Sequence, residues 1–164
     1  HLKQHNSENN IEVLDEMFDD ELADYYFPFI DLVIDCTDNL RSRYLINKKC
    51  YEHKRPLLIG SATGFDGQLF FYDANNNKSA CYQCLLPNNI QTGEQNCQTL
   101  GILGPILSVI GGLQALEAIK YLTGNKVAIN TLQLFDGLSN SWQKFAVNKK
   151  KYCQTCCNSQ QNSN

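Results

Sequence analysis

Residues 31–47 read DLVIDCTDNLRSRYLIN: a short apolar run stops at a polar cluster and passes into a helical pattern. Leu32, Val33 and Ile34 are continuous and rich in β-branching, the pattern of a strand covered on both faces of a parallel sheet. Thr37, Asp38 and Asn39 fall where that strand must end. Leu40, Tyr44, Leu45, Cys50 and Tyr51 then recur near the helical period, and Pro56 closes the helix ahead of a second apolar run, PLLIGSA. Strand, helix, strand is a βαβ unit, and it predicts a parallel α/β core.

Downstream, GQLFFYD at 67–73 follows the turn Gly64 to Gly67 and predicts an antiparallel extension of that core. GPILSVIGGLQALEAIKYLTG predicts a long helix, with Pro105 in its first turn and Gly124 as its stop. Gly104, Ser108 and Gly112 share one face of it at four-residue spacing, which predicts close backbone packing in the core. TLQLFDGLSNSWQKFAV alternates on both sides of a Gly and Ser turn and predicts a β-hairpin. Upstream, residues 1–10 are a polar run, and the chain opening on His1 within it reads as the start of a fragment. Ile11, Val13 and Leu14 suggest a short strand, and Phe18, Leu22 and Tyr25 or Tyr26 an acidic surface helix. Residues 11–157 are expected to form one folded domain, and the Asn, Gln and Ser tail at 158–164 to be disordered.

With 164 residues and 43% hydrophobic content the chain can bury one core of ordinary size. A net charge of -3 and no basic stripe argue against nucleic acid or anionic membrane as a partner. Its longest apolar run, Leu100 to Leu122, is interrupted by Gln114, Glu117 and Lys120, so no membrane span is expected. The chain reads as soluble and cytoplasmic, without a targeting signal.

Cysteine usage carries most of the chemistry. Two Cys-x-x-Cys pairs, Cys81 with Cys84 and Cys153 with Cys156, each follow a predicted strand. Four thiolates in two knuckles satisfy tetrahedral zinc, so one ion would clip distant parts of the chain together. Disulfide and redox use stay open, although neither pair opens a strong helical pattern as a thioredoxin-like motif would. Cys157 is a surplus thiol beside the second pair. Cys36 and Cys50 read as small apolar core residues. Cys97 stands apart, in the polar loop NNIQTGEQNCQTLG before the long helix, whose positive end favours a thiolate. It is the candidate nucleophile.

DLVIDCTDNLRSRYLIN, PLLIGSATGFDGQL, CYQCLLP, NCQTLGILGPILSVIGGLQALEAIKYLTG and LFDGLSNSW together resemble, in order and spacing, the ThiF/MoeB/HesA family, relatives of the ubiquitin-activating enzymes. LFDG followed by Trp142 is more similar to ThiF, of thiamin thiazole synthesis, than to MoeB, of molybdopterin synthesis. The resemblance implies part of a doubly wound, Rossmann-like homodimer that uses ATP and magnesium to adenylate the C-terminal glycine of a ubiquitin-like sulfur carrier. It implies magnesium and nucleotide contacts at Asp38, a nucleotide neighbour in Asn39, zinc ligands in Cys81, Cys84, Cys153 and Cys156, and sulfur transfer at Cys97. Asp38 also fits a bland role, capping the helix that starts near Leu40. The family's glycine-rich phosphate loop and first βαβ half would lie upstream of DCTDN. Arg41 and Arg43, just beyond Asp38, read as surface or dimer-interface residues. A zinc-stabilised module that binds a ubiquitin-like partner or dimerises without catalysis is the second reading.

Overall fold

The computed structural model describes residues 2–87 and 101–157; Cys97 and the tail from residue 158 lie outside them. Five strands form one sheet in chain order: β1 (Val33–Asp35), β2 (Leu57–Thr63), β3 (Asp66–Tyr72), β4 (Thr131–Asp136) and β5 (Ser141–Ala146). β1 and β2 are parallel, joined by helix α3 (Leu40–Glu52) as the sequence predicts, and every later pairing is antiparallel. Among the described residues the other helices are α1 (Leu2–His5), α2 (Asp20–Tyr26) with a 3-10 turn after it at Phe27–Phe29, the single turn α4 (Tyr82–Leu85) and the long α5 (Gly104–Leu122).

The pleat of β2 and β3 builds two cores. Leu57 and Ile59, facing Tyr72 and Phe70 across the ladder, pack on one side with Ala23, Phe27, Ile46 and Cys50 of the helical layer. Leu58 and Leu69 with Phe71 pack on the other side, where Ala118 of α5 meets them. Helices therefore cover both faces of a mixed sheet. Close approach of α5 needs Gly60, where an added Cβ would meet Gln114 Cδ at 2.3 Å, and Gly67, where one would meet Ile110 Cδ1 at 2.4 Å. Lys49, 5% exposed, ties α2 to α3: its Nζ donates to both Asp24 oxygens at 2.8 and 2.9 Å and pairs with Asp20 and Glu52. The ammonium in turn holds the Asp24 carboxyl below the usual carboxylate range.

Several expectations are corrected. Ile11, Val13 and Leu14 form no strand; Val13 is 82% exposed, and this acidic segment meets the core mainly through Phe18 against Phe27. β1 is not covered on both faces, since it pairs only with β2 among the described strands and leaves Ile34 47% exposed. Gly104, Ser108 and Gly112 lie on the exposed side of α5, not in the core; the buried stripe is Ile106, Ile110, Gln114 and Ala118. Leu107, Leu116, Ile119 and Leu122 are also exposed, so α5 has more apolar surface than this sheet covers. Cys50 is buried as expected, but Cys36 is exposed where β1 ends. Arg43 is buried, whereas Arg41 is exposed. No helix among the described residues is long and apolar enough to cross a membrane.

Candidate metal centre and strand-end site

Cys81 caps α4, a turn closed by bonds from the Cys84 and Leu85 amides to the Cys81 carbonyl. The matching turn beyond β5 carries Cys153 and Cys156, with the Cys153 amide bonded to the Lys150 carbonyl and the Cys157 amide to the Cys153 carbonyl. Between the two knuckles, Cys81 Sγ lies 3.5 Å from Cys153 Sγ and Cys84 Sγ 3.5 Å from Cys156 Sγ. All four sulfurs are within 4.8 Å of one another, and all four residues are buried. A tetrahedron with ligands about 2.3 Å from its centre has edges of about 3.8 Å, so the cluster could hold a metal ion and is compatible with zinc. Within the cluster the Cys81 and Cys156 thiols are raised above their ordinary value, foremost by Cys153, while the Cys84 and Cys153 thiols are lowered, and a central cation would favour all four as thiolates. Cys157 Sγ, outside the four, donates to the Lys150 carbonyl at 3.1 Å.

A residue that sequence reasoning missed joins the knuckles. Asn47 of α3 is fully buried; its Oδ1 accepts from the Tyr82 amide at 2.8 Å and its Nδ2 reaches Thr155 Oγ1 at 3.5 Å. Gln83 adds a second tie, through Gln154 at 3.3 Å and through the Thr155 hydroxyl. The only sequence signal was spacing: Arg43, Asn47 and Cys50 fall on one helical stripe, but two of the three are polar.

β1 stops at Asp35 and the loop Cys36–Asn39 turns into α3. Asn39 caps that helix, its Oδ1 accepting from the Ser42 amide at 2.9 Å, so the capping role open to Asp38 belongs to its neighbour. Asp38 is exposed and reaches only Asn39 Nδ2, at 3.3 Å, among the described hydrogen bonds. Its carboxylate is therefore available at the carboxyl edge of the parallel pair, where ligands of open α/β sheets gather. Behind it, Asp35 is 1% exposed; its Oδ1 accepts from the Thr37 amide and hydroxyl, and its Oδ2 has no partner among the described residues. A buried carboxylate oxygen without a donor is costly, and a bound cation or donor nearby would relieve it. Asp38 and Asn39 thus lie together, far in the chain from the four cysteines, and Cys97 lies outside the described residues.

The sequence model of the ThiF family matches residues 1–156. Among curated relatives, the sulfur carrier protein ThiS adenylyltransferase of Escherichia coli (strain K12) is 44% identical over 126 residues, covering 77% of this chain and 49% of that protein. The adenylyltransferase and sulfurtransferase MOCS3 of Aedes aegypti is 44% identical over 129 residues, covering 77% of this chain and 29% of that protein. Among solved structures, E. coli MccB superposes with a TM-score of 0.77 at 16% identity, over 99% of this chain and 49% of that one, a likeness of fold. The chain thus spans about half the length, or less, of the relatives it matches.

Proposed function

This chain belongs to the ThiF family, and from that premise we propose that it is the C-terminal portion of an ATP-dependent adenylyltransferase acting on a ubiquitin-like sulfur carrier. The observation that carries this reading is the 44% identity with a ThiS adenylyltransferase over 77% of the chain. In this reading Asp38 offers its carboxylate to magnesium and Asn39 contacts the nucleotide, because hard cations and phosphates pair through oxygen ligands. ATP supplies the adenylyl group; this chain supplies an acidic anchor at the sheet edge and the orphaned oxygen of Asp35 behind it. The four-cysteine centre holds zinc as a structural clip. The assembly is a homodimer and serves thiazole or molybdopterin synthesis.

Replacing Asp38 with Asn tests the anchor. In a carrier-dependent ATP-pyrophosphate exchange assay of the adenylation-competent protein, the variant is expected to lose on the order of a hundredfold in rate while still binding the carrier. Carrier binding with no exchange from the unaltered chain, even with the upstream sequence restored, would favour the non-catalytic binding module instead.

Cys97 is the thiol we assign to sulfur transfer, on the family resemblance and on its position ahead of the long helix. Cys97→Ala is expected to leave exchange intact and abolish sulfur transfer to the carrier. Alkylation at limiting reagent should reach Cys97 before Cys50, whose thiol is raised by burial. Cys36, exposed at the end of β1, is not a silent control. Normal sulfur transfer by Cys97→Ala would end the assignment.

A further inference from the structure

Two buried polar side chains from different helices converge on the loop that carries Asp38. The ladder between β1 and β2 ends at the pair Asp35 and Ile59, and beyond it the chain of β1 departs. Arg43 of α3 spans the gap that opens: one guanidinium nitrogen donates to the Thr37 carbonyl on the departing loop and, at 3.2 Å, to the Gly60 carbonyl on β2. The residue is 5% exposed and has no carboxylate within salt-bridge distance among the described residues. An arginine placed this way is committed to backbone oxygens and is not a free cation for a phosphate. On the other side of the loop, Gln114 of α5, also 5% exposed, donates from Nε2 to the Asp35 carbonyl at 3.1 Å and accepts from Cys36 Sγ at 3.6 Å. Gln114 reaches that position because Gly60 has no Cβ in its way. Asp35 Oδ1 closes the network by binding the Thr37 amide and hydroxyl. Asp35 at the end of β1 and the loop residues Cys36 and Thr37 are therefore held from α3 and α5, and Asp38 is the first residue whose side chain is bonded only to its neighbour Asn39 among the described residues.

We infer that Arg43 and Gln114 are positioning residues that fix the strand-end loop so that the Asp38 carboxylate is presented in one orientation; this rests on the reading of Asp38 as the magnesium and nucleotide anchor. Burying a guanidinium and an amide costs their hydration, which is recovered only through these backbone contacts, and neither side chain packs as an apolar residue would. The pair thus exchanges stability for loop geometry, as a preorganised anchor requires.

The test uses Arg43→Lys, which keeps the charge but cannot reproduce the planar donor set, and Gln114→Met, which keeps the volume and removes the amide. Amide hydrogen exchange on this 164-residue chain reads the loop directly. Either variant is expected to speed exchange at Thr37 by about tenfold or more while β3 and β4 exchange as before. In the adenylation-competent protein, the same variants should raise the KM for magnesium-ATP by a similar factor with the carrier KM unchanged. Unaltered exchange at Thr37 in both variants, or a rise spread evenly over the sheet, overturns the positioning role. If one variant fails to fold, the other decides. Asp38→Asn separates the two readings: normal magnesium-ATP dependence in that variant would remove the anchor assignment, while the loop-exchange result would still stand or fall on its own.

Discussion

Cys84→Ser is expected to lose the metal and, with it, on the order of 10 °C of thermal stability. The unaltered chain should carry one zinc, measured by plasma emission, and the variant a clearly substoichiometric amount. The reason is that the clip joins knuckles 72 residues apart in sequence, so that it holds the segment after β5 against the segment after β3. Cys81, Cys84, Cys153 and Cys156 also belong to the buried cluster with Leu57, Phe70 and Tyr72, so that opening the clip exposes part of the main core. At a free zinc concentration a thousandfold above the dissociation constant, binding to the folded state alone stabilises by about 4 kcal/mol, which for a domain of this size moves Tm by roughly 8–16 °C. A serine hydroxyl is a poor replacement for a thiolate on a soft-tolerant ion, and the three remaining sulfurs leave the tetrahedron open. Cys157→Ser is the matched control, since its sulfur is bonded to the Lys150 carbonyl outside the four-sulfur cluster. It should keep both zinc and Tm. Full zinc with an unchanged Tm in Cys84→Ser would show that the cluster is not a structural metal site.

The four-cysteine cluster was legible because two Cys-x-x-Cys knuckles leave a spacing in the sequence that does not depend on how the rest packs. The βαβ unit and both hairpins were legible for a similar reason: β2, β3, β4 and α5 follow the periodicity and the Gly and Pro punctuation closely. The polar interior was not. Arg43, Asn47 and Gln114 sit on helices whose apolar residues suggested other inward faces, and Tyr44, Leu45 and Tyr51 of α3 are only half-buried. What draws the polar side chains inward is backbone that the fold leaves without partners: the Thr37 and Gly60 carbonyls beyond the β1 ladder, and the Tyr82 amide at the start of α4. Such vacancies arise from tertiary geometry and have no local sequence signature. Ile34, by its apolar run, and Gly104, Ser108 and Gly112 of α5, by their spacing, misled in the opposite sense, since both patterns predicted burial that this part of the sheet does not provide.

The second large effect is that this chain by itself should catalyse no carrier-dependent ATP-pyrophosphate exchange, with activity appearing when an upstream half is supplied in cis or as a partner chain. Acyl-adenylate formation brings a carboxylate to the α-phosphate of ATP, and both reactants are anionic. The barrier falls only where cations and backbone donors hold the phosphates and meet the developing charge. Among the described residues near Asp38, the buried cation Arg43 is already engaged by two carbonyls, and Arg41 is exposed on the first turn of α3. Asp38 adds negative charge, so without further donors this edge repels triphosphate rather than holding it. The fold suggests where those donors would enter. β1 has a strand on one side only among the described residues, Ile34 within it is 47% exposed, and Leu107, Leu116, Ile119 and Leu122 of α5 are each at least 50% exposed. An upstream α/β segment that added a parallel strand next to β1 would pair its open edge and bring a phosphate-binding turn to the same carboxyl edge as Asp38. The family relatives, of which this chain spans about half or less, are long enough to contain such a segment. Mixing the chain with that segment should restore exchange and protect the β1 amides from hydrogen exchange. Exchange activity above background from the isolated chain would show that the phosphate cradle lies within these residues and that the division of labour proposed for the two halves is wrong.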